Sequence, residues 1–331
     1  MRMGKWIYGY WSVIILLTAL VSTTGCQREG KVTVVKLAHA LDTTHPVHQG
    51  MVFMAQKVAE YSHGKMRVDI YPNEQLGAER DLIELLQIGS LAMTKVSTAP
   101  MEAFVPEMKI FGIPYLFRDS EHRWKVLNGP IGKKLLLAGE PFFLRGMCYY
   151  DAGSRSFYTK DKPILTPDDL KGMKIRVMKS ITSVNMVKAL GGSPTPIPFG
   201  ELYTSLQQGV VDGAENNPPS FYLSRHYEVC KYYSLDEHTS VPDILLMSTI
   251  VWNRLSGQEQ GWLQRAIDDS VVYQKELWKA STEDSLNAVR NAGVEILYPD
   301  KAPFLKAVQP MHDSYKNTPL YDLMLEIKNI H

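Results

Sequence analysis

Two arginines sit where a strand, and not a helix face, would deliver them. Arg155 stands in Asp151-Ala152-Gly153-Ser154-Arg155-Ser156-Phe157, and Arg176 in Leu170-Lys171-Gly172-Met173-Lys174-Ile175-Arg176-Val177. A guanidinium is a planar fork of donors that matches a carboxylate in shape as well as charge, which an ammonium does not. With a period of two, Lys174 and Arg176 share one strand face, while Ile175 and Val177 share the other. The residues alone allow a half-exposed strand with solvated cations or a grip on a carboxylate.

His39, His45 and His48 crowd one strand-to-helix connection. His45 and His48 flank Pro46 at a helix start, where they share no rigid face at i, i+4 spacing and have no accompanying glutamate pattern, so no metal is expected. His39, directly after the strand, is the one expected to point into a cleft. The chain has no Gly-x-Ser-x-Gly elbow and no Cys/His pairing suited to nucleophilic catalysis. Asp168-Asp169 follows Thr166-Pro167 and reads as the acidic start of a helix. Within Val210 to Cys230, the run Glu215-Asn216-Asn217-Pro218-Pro219 reads as neither helix nor strand interior. Asn217, before a proline, is expected to be extended and structural, and Asn216 to reach a ligand from a backbone that the prolines stiffen.

Regular elements must hold these groups. Val32 to Ala38 reads as a strand, followed by a helix with Val47, Met51, Met54, Ala55 and Val58 on one face and Gly64 as its stop. Lys65 to Tyr71 alternates as a strand, and residues 77–88 form a helix turning Leu82, Leu85 and Leu86 inward. Further strands at 91–97, 145–150 and 174–178, and helices at 182–190, 199–208 and 257–290, continue the βαβ alternation. The last helix is long enough either to brace two lobes or to break near Tyr273 to Lys279.

The chain has 331 residues, of which 45% are hydrophobic and 21% charged, enough for two cores. Its 36 Lys and Arg nearly cancel 35 Asp and Glu, so no basic field points to nucleic acid and a small-molecule partner is expected. Without a dinucleotide or phosphate-loop glycine pattern, no cofactor is expected, and such a chain suggests two sheets facing across a cleft.

Arg2 and Lys5 precede an apolar stretch from Trp11 to Val21, too short to span a membrane, which reads as an export signal over residues 1–25. Thr24-Gly25-Cys26 resembles a lipobox, although Thr23 stands where that pattern usually has Leu. Lipidation at Cys26, with residues 26–31 as a tether, would be the chain's sole membrane attachment; ordinary cleavage is the competing reading. Cys148 and Cys230 lie in apolar, aromatic contexts and are expected to be buried free thiols.

Pro114-Tyr115-Leu116-Phe117-Arg118-Asp119, Leu170 to Arg176, Pro198-Phe199-Gly200-Glu201-Leu202-Tyr203 and Val211-Asp212-Gly213-Ala214-Glu215-Asn216 together resemble the substrate-binding proteins of tripartite ATP-independent periplasmic (TRAP) transporters, in that order along the chain. The resemblance covers essentially the whole mature chain. It implies an α/β, two-lobed periplasmic binding protein of type II-like form, with an interlobe cleft and a long bracing helix. The expected lobes are 32–153 with 242–281, and 154–241 with 282–331. It further implies that Arg176 makes the main carboxylate pair, that Arg155 is a second cleft arginine, and that Phe199, Asn216 and Glu79 match cleft positions. With His39, Thr98 and His238 these complete the expected ligand-binding set.

A buried carboxylate needs a charge-assisted bidentate partner to replace its hydration, which Arg176 could supply. His39, Glu79, Asn216 and the Asp236 to His238 stretch suit hydroxyls better than an apolar tail, which favours a sugar acid, a hexuronate or aldonate, over a C4-dicarboxylate, aromatic acid or keto acid. Three functions compete: a receptor that docks on TRAP permease membrane subunits, an exported lyase or hydrolase with His39 and Glu79 as acid and base, and a sensor module.

Overall fold

The computed structural model describes residues 32–330. The expected signal segment 1–25, the tether 26–31 and Cys26 lie outside the described residues. Strands β1 (Thr33–Ala38), β2 (Met66–Tyr71), β3 (Met93–Ser97) and β4 (Leu144–Tyr150) build a first sheet. The chain then crosses to a second sheet for β5 (Arg155–Thr159), β6 (Lys174–Val177), β7 (Ser193–Pro196), β8 (Gly213–Asn216) and β9 (Tyr232–Thr239). It returns for β10 (Asp243–Ser248) and adds β11 (Glu295–Leu297) to the second sheet. The strand orders are β2-β1-β3-β10-β4 and β11-β9-β5-β8-β6-β7. β1 runs parallel to β2 and β3, while β10 lies antiparallel between β3 and β4.

The helix Pro46–Tyr61 starts where His45 accepts the Val47 N–H and Pro46 takes the first position, which needs no amide donor. Val47, Met51, Met54 and Val58 are fully enclosed, each contributing roughly 1.5–3 kcal/mol of burial. Ala55 is only half-buried. In the helix Glu79–Gln87 the enclosed residues are Leu82, Ile83 and Leu86, and Leu85 is half-buried. The helix starts at Glu79, two residues later than expected, and Ile83 shares the core face with Leu82 and Leu86.

The helix Gly257–Asn291 runs unbroken for 35 residues. It packs on the helix Pro46–Tyr61 and on β4 of the first unit, and on the short helix Pro218–Leu223 of the second. The crossing between the sheets is fastened to it: Gln274 donates Nε2–H to the Asp151 carbonyl and accepts the Asp151 N–H, both at 2.8 Å. At Gly153 the backbone turns left-handed (φ +60°) against the Trp278 indole, a conformation that costs an L side chain strain.

The polar run at 215–219 differs from expectation. Glu215 and Asn216 end strand β8, and Pro218 and Pro219 open a helix capped by the Asn217 side chain, which accepts the Ser220 N–H at 2.9 Å. Proline is costly in a helix interior but suited to its first turn, so the run is a strand-to-helix junction. Asn217 itself is extended (φ −84°, ψ 162°). The expected division gave 282–331 to the second lobe, yet the final helix Pro319–Lys328 packs against the 3-10 helix Pro106–Gly112 of the first. Met324 and Ile327 are buried there, and His122 Nε2 meets the Ile327 carbonyl at 2.9 Å. Cys148 and Cys230 are buried free thiols. No helix among the described residues is long and apolar enough to cross a membrane.

Candidate functional site

The strand ends of both sheets converge on a cleft with about 440 Å³ of empty space. The first unit contributes Lys95 and Ser97 from β3, Asp243 from β10, and Glu79, the first residue of its helix. The second contributes Arg155, Arg176, Phe199 and Asn216. An adjoining recess of about 310 Å³ shares Glu79, Arg176 and Phe199 with it. The walls touch at its edges: His45 Nε2 lies 3.3 Å from Ser220 Oγ, and the Gly200 N–H donates to Glu74 Oε1 at 3.1 Å.

The two arginines differ sharply in their partners. Arg155 donates Nε and Nη2 to the Glu215 carboxylate, Nη2 to the Glu215 carbonyl at 2.7 Å and Nη1 to Asn216 Oδ1 at 2.7 Å. Among the described residues Arg176 makes one protein hydrogen bond, from Nε to the Ile197 carbonyl at 2.9 Å. Its Nη1 is buried and has no partner among the described residues. Its guanidinium carbon stands 5.9 Å from the centre of the Phe199 ring, within range of cation–π attraction. Burial pulls the Arg176 pKa below its ordinary value, but a guanidinium stays charged in proteins. Only 2% of Arg176 is exposed, which excludes solvated cations on a half-open strand: β6 lies inside the sheet between β8 and β7.

Behind Arg155 lies a second layer of charge. His238 Nδ1 is 2.8 Å from Asp236 Oδ2, and its Nε2 is 3.7 Å from Glu215 Oε2. Burial alone would lower the His238 pKa, but the two carboxylates outweigh it and hold it at about 9. Burial would likewise raise Glu215, yet Arg155 and His238 bring it down to about 2. The layer therefore carries an imidazolium, a guanidinium and two carboxylates, balanced in charge, with His238 Nε2 too far from Glu215 for a hydrogen bond and without another partner among the described residues.

On the opposite wall Lys95 Nζ sits 3.2 Å from Asp243 Oδ1 and 3.6 Å from Glu79 Oε1. Ser97 donates its N–H to the same Glu79 oxygen at 2.9 Å and its hydroxyl to the same Asp243 oxygen at 3.1 Å. Burial raises the Glu79 pKa, partly offset by Lys95.

Of the residues expected from sequence, Arg176, Arg155, Asn216, Phe199 and Glu79 come together in this lining, while His39, Thr98 and His238 lie outside it. His39 extends the β1 ladder through its N–H to Tyr71 O, and its ring falls against the helix, with Nε2 2.9 Å from His48 Nδ1. Its Nδ1 accepts the Leu41 N–H, and burial followed by the Lys95 charge holds its pKa at about 2, so it is neutral with the proton on Nε2. An acid–base pair of His39 and Glu79 is not assembled. Thr98 turns its N–H and hydroxyl to the Pro242 carbonyl, both at 3.1 Å. Its neighbour Ser97 faces the cleft because it shares the strand face of Lys95.

The sequence does not single out Lys95, Ser97 or Asp243, and it places His45 only at a helix start and not in the cleft lining. A lysine amid the apolar residues of Met93-Thr94-Lys95-Val96 was the available signal for the first. His45 occupies the cap before Pro46, where its Nδ1 accepts the Val47 N–H and leaves Nε2–H to face Ser220.

A family model described as bacterial extracellular solute-binding protein, family 7, matches residues 37–318. The chain belongs to this family. One relative, an uncharacterized protein YiiZ of Salmonella typhimurium, is 42% identical over 94% of this chain and 95% of its own. The C4-dicarboxylate-binding periplasmic protein DctP of Rhodobacter capsulatus is 30% identical, covering 85% of each chain. Among solved structures, a TRAP periplasmic solute-binding protein from Xanthobacter autotrophicus with bound β-D-galacturonate superposes with a TM-score of 0.87 at 39% identity, over 90% of this chain and 100% of that one. The two-lobed fold with its long helix is thus that of a family 7 solute-binding protein.

Proposed function

We propose that the chain is the extracytoplasmic receptor of a TRAP transporter and that it closes on a sugar acid, a hexuronate or aldonate. The observation that carries this reading is Arg176 Nη1, a buried charged donor in the cleft lining without a partner among the described residues. An orphaned charged donor costs several kcal/mol, on the order of 1–3 or more, and a ligand carboxylate taken bidentate by Nη1 and Nη2 would remove that cost. Asn216 Oδ1 accepts from Arg155 and from the Asn217 N–H, and its side-chain N–H₂, without a partner among the described residues, is open to a hydroxyl. Phe199 offers a sugar ring an apolar face, and Glu79 an acceptor. His238 supports Arg155 from behind, while His39 and Thr98 shape the first wall.

The galacturonate held by the Xanthobacter relative supports a sugar acid. The name of the Rhodobacter relative makes C4-dicarboxylates the competitor to test. Ligand binding favours the closed arrangement, which then docks on the membrane permease subunits. In this reading residues 1–25 direct export and Cys26 carries a lipid that tethers the receptor in the cell envelope.

A melting screen over hexuronates, aldonates, C4-dicarboxylates and keto acids tests the proposal. A sugar acid at ~100 times its dissociation constant should stabilise the protein by roughly 2.7 kcal/mol. A shift with dicarboxylates and none with any sugar acid would reject the substrate class.

A further inference from the structure

The cleft walls differ in charge. Arg155 is matched by Glu215 and Lys95 by Asp243 and Glu79, so Arg176 alone among the cations of the main lining has no carboxylate partner. Arg80 and Lys179 line only the adjoining recess, and Arg80 is already engaged by Glu84. The wall facing Arg176 therefore holds two carboxylates and one ammonium. With a proton on Glu79, Lys95 and Asp243 would still balance, so in neither state does that wall carry a surplus cation.

Its hydrogen bonds have a direction as well. Ser97 serves Glu79 Oε1 and Asp243 Oδ1, the oxygens also nearest Lys95. No protein hydrogen bond reaches Glu79 Oε2 or Asp243 Oδ2 among the described residues. A free carboxylate oxygen accepts a hydroxyl proton but repels another carboxylate.

Resting on the sugar-acid reading, we propose that Lys95, Glu79 and Asp243 read ligand hydroxyls and exclude a second carboxylate, which makes the receptor selective for monocarboxylate sugar acids over the diacids of the same carbon skeleton. Specificity of this kind comes from a repulsive element built against the wrong ligand.

Calorimetric titration of the wild-type chain with D-galacturonate, D-galactonate and D-galactarate tests the assignment. Galactarate should bind about tenfold weaker or worse than the better monoacid, and Asp243→Asn and Glu79→Gln should each narrow that gap by about threefold or more. The ratio within each variant is the readout, so a general loss of affinity does not mimic the effect. Galactarate binding as tightly as the monoacids, or a gap unchanged in both variants, would overturn the charge assignment while leaving a sugar-acid receptor in place. Failure of every sugar acid to bind would overturn the underlying reading and this assignment together.

Discussion

Arg155 grips the carboxylate of Glu215 through Nε and Nη2, with both side chains at least 95% buried. This pairing satisfies most of one cleft arginine inside the protein, whereas Nη1 of the other, Arg176, has no partner among the described residues. Removing one partner of a buried pair strands the other charge, at a cost of about 3–5 kcal/mol. Glu215→Gln should therefore destabilise the unliganded protein by about 3 kcal/mol in urea unfolding. A change below about 1 kcal/mol would mean that Arg155 does not depend on this carboxylate.

Arg176→Lys keeps the charge and loses the planar fork. Affinity for the sugar acid should fall about a hundredfold or more, while the unliganded unfolding midpoint stays nearly unchanged. Unaltered binding by calorimetry would remove Arg176 from the site.

Closure is held in part by the Gly200 N–H on Glu74. A Cβ at Gly200 would come within 2.3 Å of Glu74 Oε2, so Gly200→Ala must push this flexible side chain away. Losing one such hydrogen bond costs about 1 kcal/mol, and ligand affinity should drop about fivefold with little change in unliganded stability. Affinity equal to wild type would show that the contact does not favour closure.

Burial holds His39 at about 2, and His45 and His226 at about 3. In the unfolded chain a histidine takes up its proton near pH 6.5, so the stability tied to these neutral rings is complete above that pH and lost as pH falls toward 3. His238 runs the other way: held at about 9, it contributes fully below pH 6.5, and that contribution is lost as pH rises through 9. Urea unfolding should show a stability maximum near neutral pH and a loss of roughly 2 kcal/mol between pH 6.5 and 5.5. A flat profile there would contradict neutral, buried rings.

The scaffold was legible where periodicity and composition agree. The helix carrying Met51 and Met54 and the strand carrying Arg176 follow from spacing, as does the presence of the long helix Gly257–Asn291, whose unbroken course the residues alone leave open. Arg176 could be placed on a strand, but its burial depended on β7 and β8 flanking β6, which no local pattern reveals. His39 was misplaced because a residue just past a strand can turn to either side, and the ladder bond to Tyr71 decided it. Lys95, Asp243 and Ser97 escaped notice because their meaning lies in the contact between β3 and β10, far apart in sequence. The proline pair was read as a breaker when its position, immediately after a capping asparagine, made it a helix start.

On the proposed reading this cleft binds a sugar acid through Arg176 and breaks no bond. Titrating the wild-type chain with D-galacturonate and D-glucuronate, then denaturing it and weighing the released compound, tests both halves at once. One sugar acid bound per chain and recovered unchanged is the expected result. No binding by any hexuronate or aldonate while a C4-dicarboxylate binds, or recovery of a converted product, would contradict it.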